Sequence, residues 1–588
     1  MGQSSIRDGF LLPPAIWIGL GRAALLPHLR VVRAAAPLGL GLLAFIMVFP
    51  ASNSLPVLGD GALHARVMQE IAEGGSLPAD SQAPYPVLYH LLGGILYQFL
   101  GLTGIKLISP LAIGLSALVA YLIARELTGR DLVSLLAMSL VAFSPKVIWY
   151  GALIYMEPLQ VLFVLLGVYA MLLSLRRFDG PGIALVAIMI AGAALTKQVG
   201  LVMAVAAGIF FLVNRMGLRR TGIFAALVVA LIVGPYLFMF ANAHSLVKPP
   251  EVGPQELRER SAGPLGFLLL GDRWRYYPEW AWELEQEVDA SELYSRGTQA
   301  HESRHIFGLA LGEWNKFLEL HTLFPYSFFG YREAPRPWLL TALNMSLVAG
   351  YILAMARAVR NPRWRALALV LLVTYPALAV GSDTRRYFLY VPVLLAFLPL
   401  LPFALAHSVA EGLWWRNRAA PVALATIFLA LGLIVVGQLY QMGVQEEKVV
   451  RRAGILQEYS PSAGGVPSIA VTGAWIQDHS GPDDVVFATS AYEWEYYSQR
   501  PNLWFQGLNY LVYFLPPERI DYYLREAGAK YVVIRDNQIV ADADWAHVGY
   551  IPQSFYDSVQ GLYPLAFTSP HGDIEVYQVI SKEGGYLK

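Results

Sequence analysis

The residues able to do chemistry in this chain are few and far apart. They are Asp60 in LGDGALHARVMQEIAEGG, Glu157 in YGALIYMEPLQ, Lys197 in ALTKQVG, and the pair Arg385-Arg386 in GSDTRRYFLYVP. A carboxylate can take the proton of a hydroxyl nucleophile, and a set of cations can hold a phosphate and stabilise it as it leaves. Each residue also has an ordinary explanation. Asp60 precedes a stretch in which Leu63, Val67 and Ile71 recur at helical spacing, so it reads as a helix N-cap over an amphipathic helix at 61–73. Glu157, beside Pro158, suits the first turn of a helix at the positive end of its dipole. Lys197 suits a span end with its head group reaching water. Arg385 and Arg386 are less ordinary, because arginines at the outer end of a span run against the positive-inside bias.

The elements that must position these residues are membrane helices. Of 588 residues, 56% are hydrophobic and only 15% charged, against the ~25% charge of ordinary soluble chains. Mean hydropathy is +0.47, and the apolar residues lie in blocks long enough for a ~30 Å hydrocarbon core. The absence of cysteine excludes disulfides, thiolate metal sites and cysteine nucleophiles. Net charge is zero, no glycine-rich phosphate loop is present, and no basic-aromatic surface suggests nucleic acid.

Apolar blocks fall at 35–52, 86–100, 105–124, 132–149, 158–174, 182–196, 199–213, 222–241, 338–356, 366–380, 387–406 and 420–440. Basic clusters at Arg22/Arg30/Arg33, Arg125/Arg130, Arg176/Arg177, Arg215/Arg219/Arg220, Arg357/Arg360/Arg363/Arg365 and Arg416/Arg418 should all be cytoplasmic. That parity requires one block before residue 125 not to cross. The best choice is VLYHLLGGILYQFLG, which is short and carries His90 and a Gly-Gly pair; it is expected as an interfacial or re-entrant helix. About eleven spans remain, in a core over 34–440 behind a cytoplasmic or interfacial N-terminus at 1–33. Outer loops at 53–104 and 242–337, the Glu157 turn and a tail at 441–588 then share the outer face of a cell membrane. In the tail, DVVFATS, YVVIRD and IEVYQVI have strand composition and PPERIDYYLREAG reads as a helix, giving an extracytoplasmic α/β domain.

In order along the chain, GDGALH, PYPVLYHLLGGILYQFLG, YLIARELTGRD, YGALIYMEPLQVLFVLLGVY, ALTKQVG and RRYFLYVPVLLAFLPLL resemble the motifs of GT-C glycosyltransferases. The likeness is to the branch holding the protein O-mannosyltransferases and the lipid A aminoarabinose transferase. It covers most of 34–405. The resemblance implies a sugar moved from a polyprenyl-phosphate donor to a glycolipid, polysaccharide or protein acceptor, with inversion. It makes Asp60 the catalytic acid or base, with the base the leading choice, Glu157 an organising acid, Lys197 the lysine between the fifth and sixth spans, and Arg386-Tyr387 the late Arg-Tyr pair. Two departures stand out: Gly61 replaces a second acid, and Tyr85 replaces the lysine or histidine that often precedes the proline at 86. Phosphate binding is therefore expected from Arg385, Arg386 and Lys197 with His64 or Arg66, and substrate contacts from Tyr85 and Tyr387. A divalent Mg or Mn ion between the phosphate and Asp60 or Glu157 is compatible with the sequence but not required by it.

Two competing readings come from other classes. HESRH at 301–305 matches the zinc-peptidase pattern of His301 and His305 one helical turn apart with Glu302 as base. Its flanks are polar, no third ligand is evident, and Arg304 adds charge unfavourable to a dication. The segment reads better as an outer loop in which His301, Arg304 or His305 touches phosphate or sugar. A transporter or flippase of a lipid-linked saccharide should show inverted repeats and charges near the midplane. Here no repeat is visible and the candidate charges cluster at one face.

Overall fold

The computed structural model describes residues 35–57, 59–74, 87–176, 179–246, 350, 352–380, 393–394, 397, 462–463, 466–489, 491–502, 512–542 and 550–580. Tyr85, His301, Glu302, Arg304, His305, Arg385, Arg386 and Tyr387 lie outside these residues. So do the expected span at 420–440 and nearly all of the loop at 242–337.

The membrane part is helical. It runs through α1 (Ala35–Ser54), α2 (Asp60–Gly74), α3 (Val87–Leu100), α4 (Leu102–Thr128), α5 (Asp131–Ala142), α6 (Pro145–Ala152), α7 (Glu157–Ser174), α8 (Gly180–Thr196), α9 (Val202–Val213), α10 (Leu218–Leu246) and α11 (Pro362–Val380). Among the described residues four helices are long and apolar enough to cross a membrane: α1, α4, α7 and Leu218–Pro235 of α10. The 14 residues of α3 reach only about 21 Å at 1.5 Å per residue, short of the hydrocarbon thickness. α3, the block that the arginine parity excludes from crossing, lies along α2, where a Cβ on Gly94 would stand 2.6 Å from Ile71 Cγ2.

The expected single span at 132–149 is corrected to two helices, α5 and α6. Pro145 has no N–H to continue the ladder, and its ring drives Ser144 out of the helical region, to ψ 122°. Between the expected blocks 182–196 and 199–213 the chain turns: α8 stops at Thr196, Lys197 is extended, and a 3₁₀ turn at Gln198–Leu201 leads into α9.

The two ends of the bundle differ in chemistry. One gathers the arginine clusters: Arg176 pairs with Glu126 at 2.7 Å, Arg363 donates to the Glu126 carbonyl at 3.1 Å, and Arg365 donates to Asn214 Oδ1 at 2.6 Å. The other end collects the exit of α1, the starts of α2, α3, α4 and α7, and the close of α8.

The C-terminal region holds a four-stranded sheet of β1 (Val485–Ala488), β2 (Ala529–Arg535), β3 (Leu565–Thr568) and β4 (Ile574–Gln578), in the order β1-β2-β4-β3. β1 and β2 are parallel and the other pairs antiparallel. The three segments with strand composition are β1, β2 and β4, and PPERIDYYLREAG supplies a helix at Pro517–Glu526. Period-two alternation sorts the side chains: Val486, Ala488, Tyr531, Val533 and Val576 face Ile469, Ile476 and Trp494, while Phe487, Val532, Ile534 and Tyr577 face Ile520, Leu524 and Phe555. β2 is buried along nearly its whole length, as a strand covered on both faces must be.

Candidate active site

Asp60 is the first residue of α2 and is half-buried. The turn before it depends on Gly59, whose φ of +54° suits a residue without Cβ. The Gly59 carbonyl accepts the Ala62 N–H at 2.9 Å, opening the helix. The approach to this turn is held by Lys106, a buried cation that the sequence reading missed. Its ammonium donates to the carbonyls of Asn53 and Leu55 at 3.1 and 2.6 Å, where α1 ends. A helix C-terminus leaves carbonyls without intrahelical partners and carries partial negative charge, so a lysine there satisfies both needs.

The start of α2 lies on the segment that leads to Glu157. A Cβ on Gly61 would meet Ile154 Cβ at 3.3 Å and the Ile154 carbonyl oxygen at 3.4 Å. A Cβ on Gly59 would find the Tyr155 hydroxyl at 3.8 Å. This gives the departure at Gly61 a physical reason, because the close approach leaves little room for an acidic side chain. Ser109 of α4 fastens the same segment by donating to the Tyr155 carbonyl at 2.9 Å.

Glu157 is the first residue of α7 and only 2% exposed. Lys197 Nζ donates to its Oε1 at 2.5 Å, making a buried ion pair. Each charge sits where the helix dipoles favour it, the acid at an N-terminus and the lysine just past a C-terminus. Lys197, expected on a phosphate, thus has a carboxylate partner among the described residues. One turn on, Gln160 is fully buried and neither end of its amide has a hydrogen-bond partner among the described residues.

His64 and Arg66, the other expected phosphate contacts, have protein partners as well. Buried His64 meets His90 of α3, Nδ1 to Nε2 at 3.0 Å, with Tyr89 edge-on at 5.6 Å between ring centroids. Arg66 donates to Glu70 and to Glu495 of the C-terminal region, both at 2.7 Å. Among the described residues no group of three or more His, Asp and Glu side chains is arranged to hold a metal ion.

The C-terminal region reaches this end of the bundle through α13 (Ala491–Ser498), which packs on α2 after α12 (Ser468–His479). Burial raises the Glu495 carboxyl above the ordinary glutamate value of 4.5, with Arg66 and the Asn502 N–H offsetting part of the effect. The folded state therefore binds this proton more tightly than the unfolded chain does. Its contribution to stability is full below pH 4.5 and lost as pH rises through the folded value. We expect the difference in thermal midpoint between wild type and Glu495→Gln to shift in favour of wild type as pH falls from 7 towards 4.5. A difference that does not change with pH would refute it.

A helical bundle carries Asp60 and Glu157 at one end, where a mixed α/β region packs on it, and this fold is similar to that of GT-C membrane glycosyltransferases. The oligosaccharyltransferase of Archaeoglobus fulgidus, solved with a tethered acceptor peptide, superposes with a TM-score of 0.55 at 15% identity, covering 94% of this chain and 74% of that one. The archaeal oligosaccharyltransferase AglB from Archaeoglobus fulgidus, in complex with an inhibitory peptide and a dolichol-phosphate, gives 0.53 at 14% identity, covering 94% and 75%. ArnT from Cupriavidus metallidurans bound to undecaprenyl phosphate is a looser match, with a TM-score of 0.43 at 14% identity, covering 95% and 99%. Within this fold, residues 86–238 match the dolichyl-phosphate-mannose-protein mannosyltransferase family. The resemblance drawn from the ordered motifs thus holds, and the matched region contains Glu157 and Lys197 but not Asp60. A comparison with curated proteins finds no match.

Proposed function

We propose that this protein is an integral-membrane glycosyltransferase that moves a sugar from a polyprenyl-phosphate donor to an acceptor hydroxyl at the Asp60 end of the bundle. The observation that carries it is the packing of the Asp60 turn directly on the Ile154–Tyr155 segment, beside the buried Glu157–Lys197 pair. Two segments far apart in the chain, each next to a candidate acid, pack on each other. The dolichol-phosphate held by the fold relative AglB is in keeping with a lipid-linked donor.

The acceptor oxygen attacks the anomeric carbon as the bond from that carbon to the phosphate oxygen breaks, inverting the centre. The acceptor proton passes to the Asp60 carboxylate, and the electron pair leaves with the polyprenyl phosphate. Arg385 and Arg386 are the cations proposed for the departing phosphate, because Lys197, His64 and Arg66 already have protein partners. Glu157, fixed by Lys197, contributes its charge to the site beside the Tyr155 segment and the Asp60 turn. The arginine-rich end is cytoplasmic by the positive-inside bias, which puts the site and the C-terminal region outside. Eleven crossings remain the proposed count.

Mass spectrometry of the cell-envelope glycans and glycoproteins, with and without the gene, tests the reading. We expect one acceptor to lose the mass of a single sugar when the gene is deleted. An unchanged envelope, together with flipping of a labelled polyprenyl-phosphate sugar by the purified protein, would overturn it in favour of a flippase.

A further inference from the structure

The C-terminal region does not merely rest on the bundle. Helix α13 contacts the chain on both sides of Asp60 through side chains whose partners are specific. The Tyr497 hydroxyl accepts the Val57 N–H at 3.1 Å, and Glu493 Oε1 accepts the Gly59 N–H at 2.6 Å. Glu495 Oε2 accepts from Arg66 at 2.7 Å. Thus the backbone immediately before Asp60 and the helix immediately after it are both held from the C-terminal region.

Glu493 is the centre of this arrangement. It is 5% exposed, and its second oxygen accepts from Arg535 Nη2 at 2.7 Å. Arg535 ends the central strand β2, is 3% exposed, and lies over the Trp494 ring at 5.2 Å. A buried carboxylate is costly unless both oxygens are engaged, and an apolar face would dock two domains at lower cost. What this carboxylate holds is one backbone N–H, that of the left-handed Gly59, one residue before the proposed base. A displacement of about 1 Å at a reacting group can cost on the order of 10²-fold in rate. A charged hydrogen bond anchored on the sheet restrains such a displacement.

We propose that Glu493 is a positioning residue: with Tyr497 it fixes the backbone N–H groups of Val57 and Gly59, so that the C-terminal region completes the site by aiming Asp60. This rests on the reading of Asp60 as base. The test uses the full-length protein. Glu493→Ala, expressed at the wild-type level in a strain lacking the gene, should lower the rate at which the envelope acceptor regains its sugar mass by about 10–100-fold. Purified in nanodiscs, it should exchange amide hydrogen faster across 57–63 and bind undecaprenyl phosphate as the wild type does. Glu493→Gln keeps an oxygen for the Gly59 N–H but turns an amide donor towards Arg535, so it should restore part of the rate lost in the Ala variant. If Glu493→Ala does not fold, Tyr497→Phe decides, with a several-fold loss of rate and faster exchange at Val57. Wild-type rates in Glu493→Ala or Tyr497→Phe, while Asp60→Asn is inactive, would overturn the proposal and leave Asp60 standing. Equal losses in the Ala and Gln variants would overturn it too. An active Asp60→Asn would remove the underlying reading instead.

Discussion

Replacing Asp60 by Asn is expected to lower sugar transfer by about 10²–10⁴-fold, the usual contribution of a general base. The substitution is nearly isosteric and leaves the turn intact. The Gly59 carbonyl still accepts the Ala62 N–H, Glu493 still holds the Gly59 N–H, and Gly61 still packs on Ile154. Loss of the favourable placement of an acid at a helix N-terminus costs about 0.3–1 kcal/mol of stability. A large fall in rate with a thermal midpoint close to wild type therefore assigns the effect to chemistry. The measurement is recovery of the envelope sugar mass in a strain lacking the gene, set beside thermal unfolding of the purified variant. Transfer at the wild-type rate would sink the assignment of Asp60, whatever became of the fold.

Much of this arrangement is legible in the chain because membrane helices announce themselves locally. The span at 105–124, the amphipathic run at 61–73 and the turn at Thr196-Lys197-Gln198 each follow from hydropathy, spacing or punctuation within twenty residues or so, and each has its counterpart in the fold. The break at Ser144–Pro145 was equally local, yet it was hidden by the continuous apolar run around it. What could not be read locally are partnerships across long separations. Lys106 looks like one lysine near the start of a span, and only the fold brings the carbonyls of Asn53 and Leu55 to it. Glu493 and Glu495 in YEWEYYS look like solvated acids of a tail helix, yet each has a partner more than 400 residues earlier. Lys197 shows the same limit from the other side. Its type and place suit a phosphate, whereas its partner is a carboxylate 40 residues away. Charge type was visible in the sequence; the identity of the opposing charge was decided by packing.

That pairing leads to the largest expected effect on stability. Glu157→Gln or Lys197→Met alone should each destabilise the protein by about 3–5 kcal/mol, since either leaves a buried charge without its counter-ion. Glu157 is 2% exposed, and the pair joins the start of α7 to the end of α8 at 2.5 Å, where water can do little to compensate. Replacing both residues removes the stranded charge, so the double variant should recover much of the loss. Thermal unfolding of the four proteins in one detergent gives the coupling directly, as the shortfall of the double change from the sum of the single changes. Additive losses would show that the two residues do not stabilise each other. Activity of the double variant then separates two roles for the pair. If it recovers both stability and sugar transfer, the ion pair is scaffold beneath the Ile154–Tyr155 segment. If it recovers stability yet transfers little sugar, the charge on Glu157 acts on the site itself. We expect the second result, because an apolar neighbour or a second amide beside the buried Gln160 would have served a scaffold at less electrostatic cost.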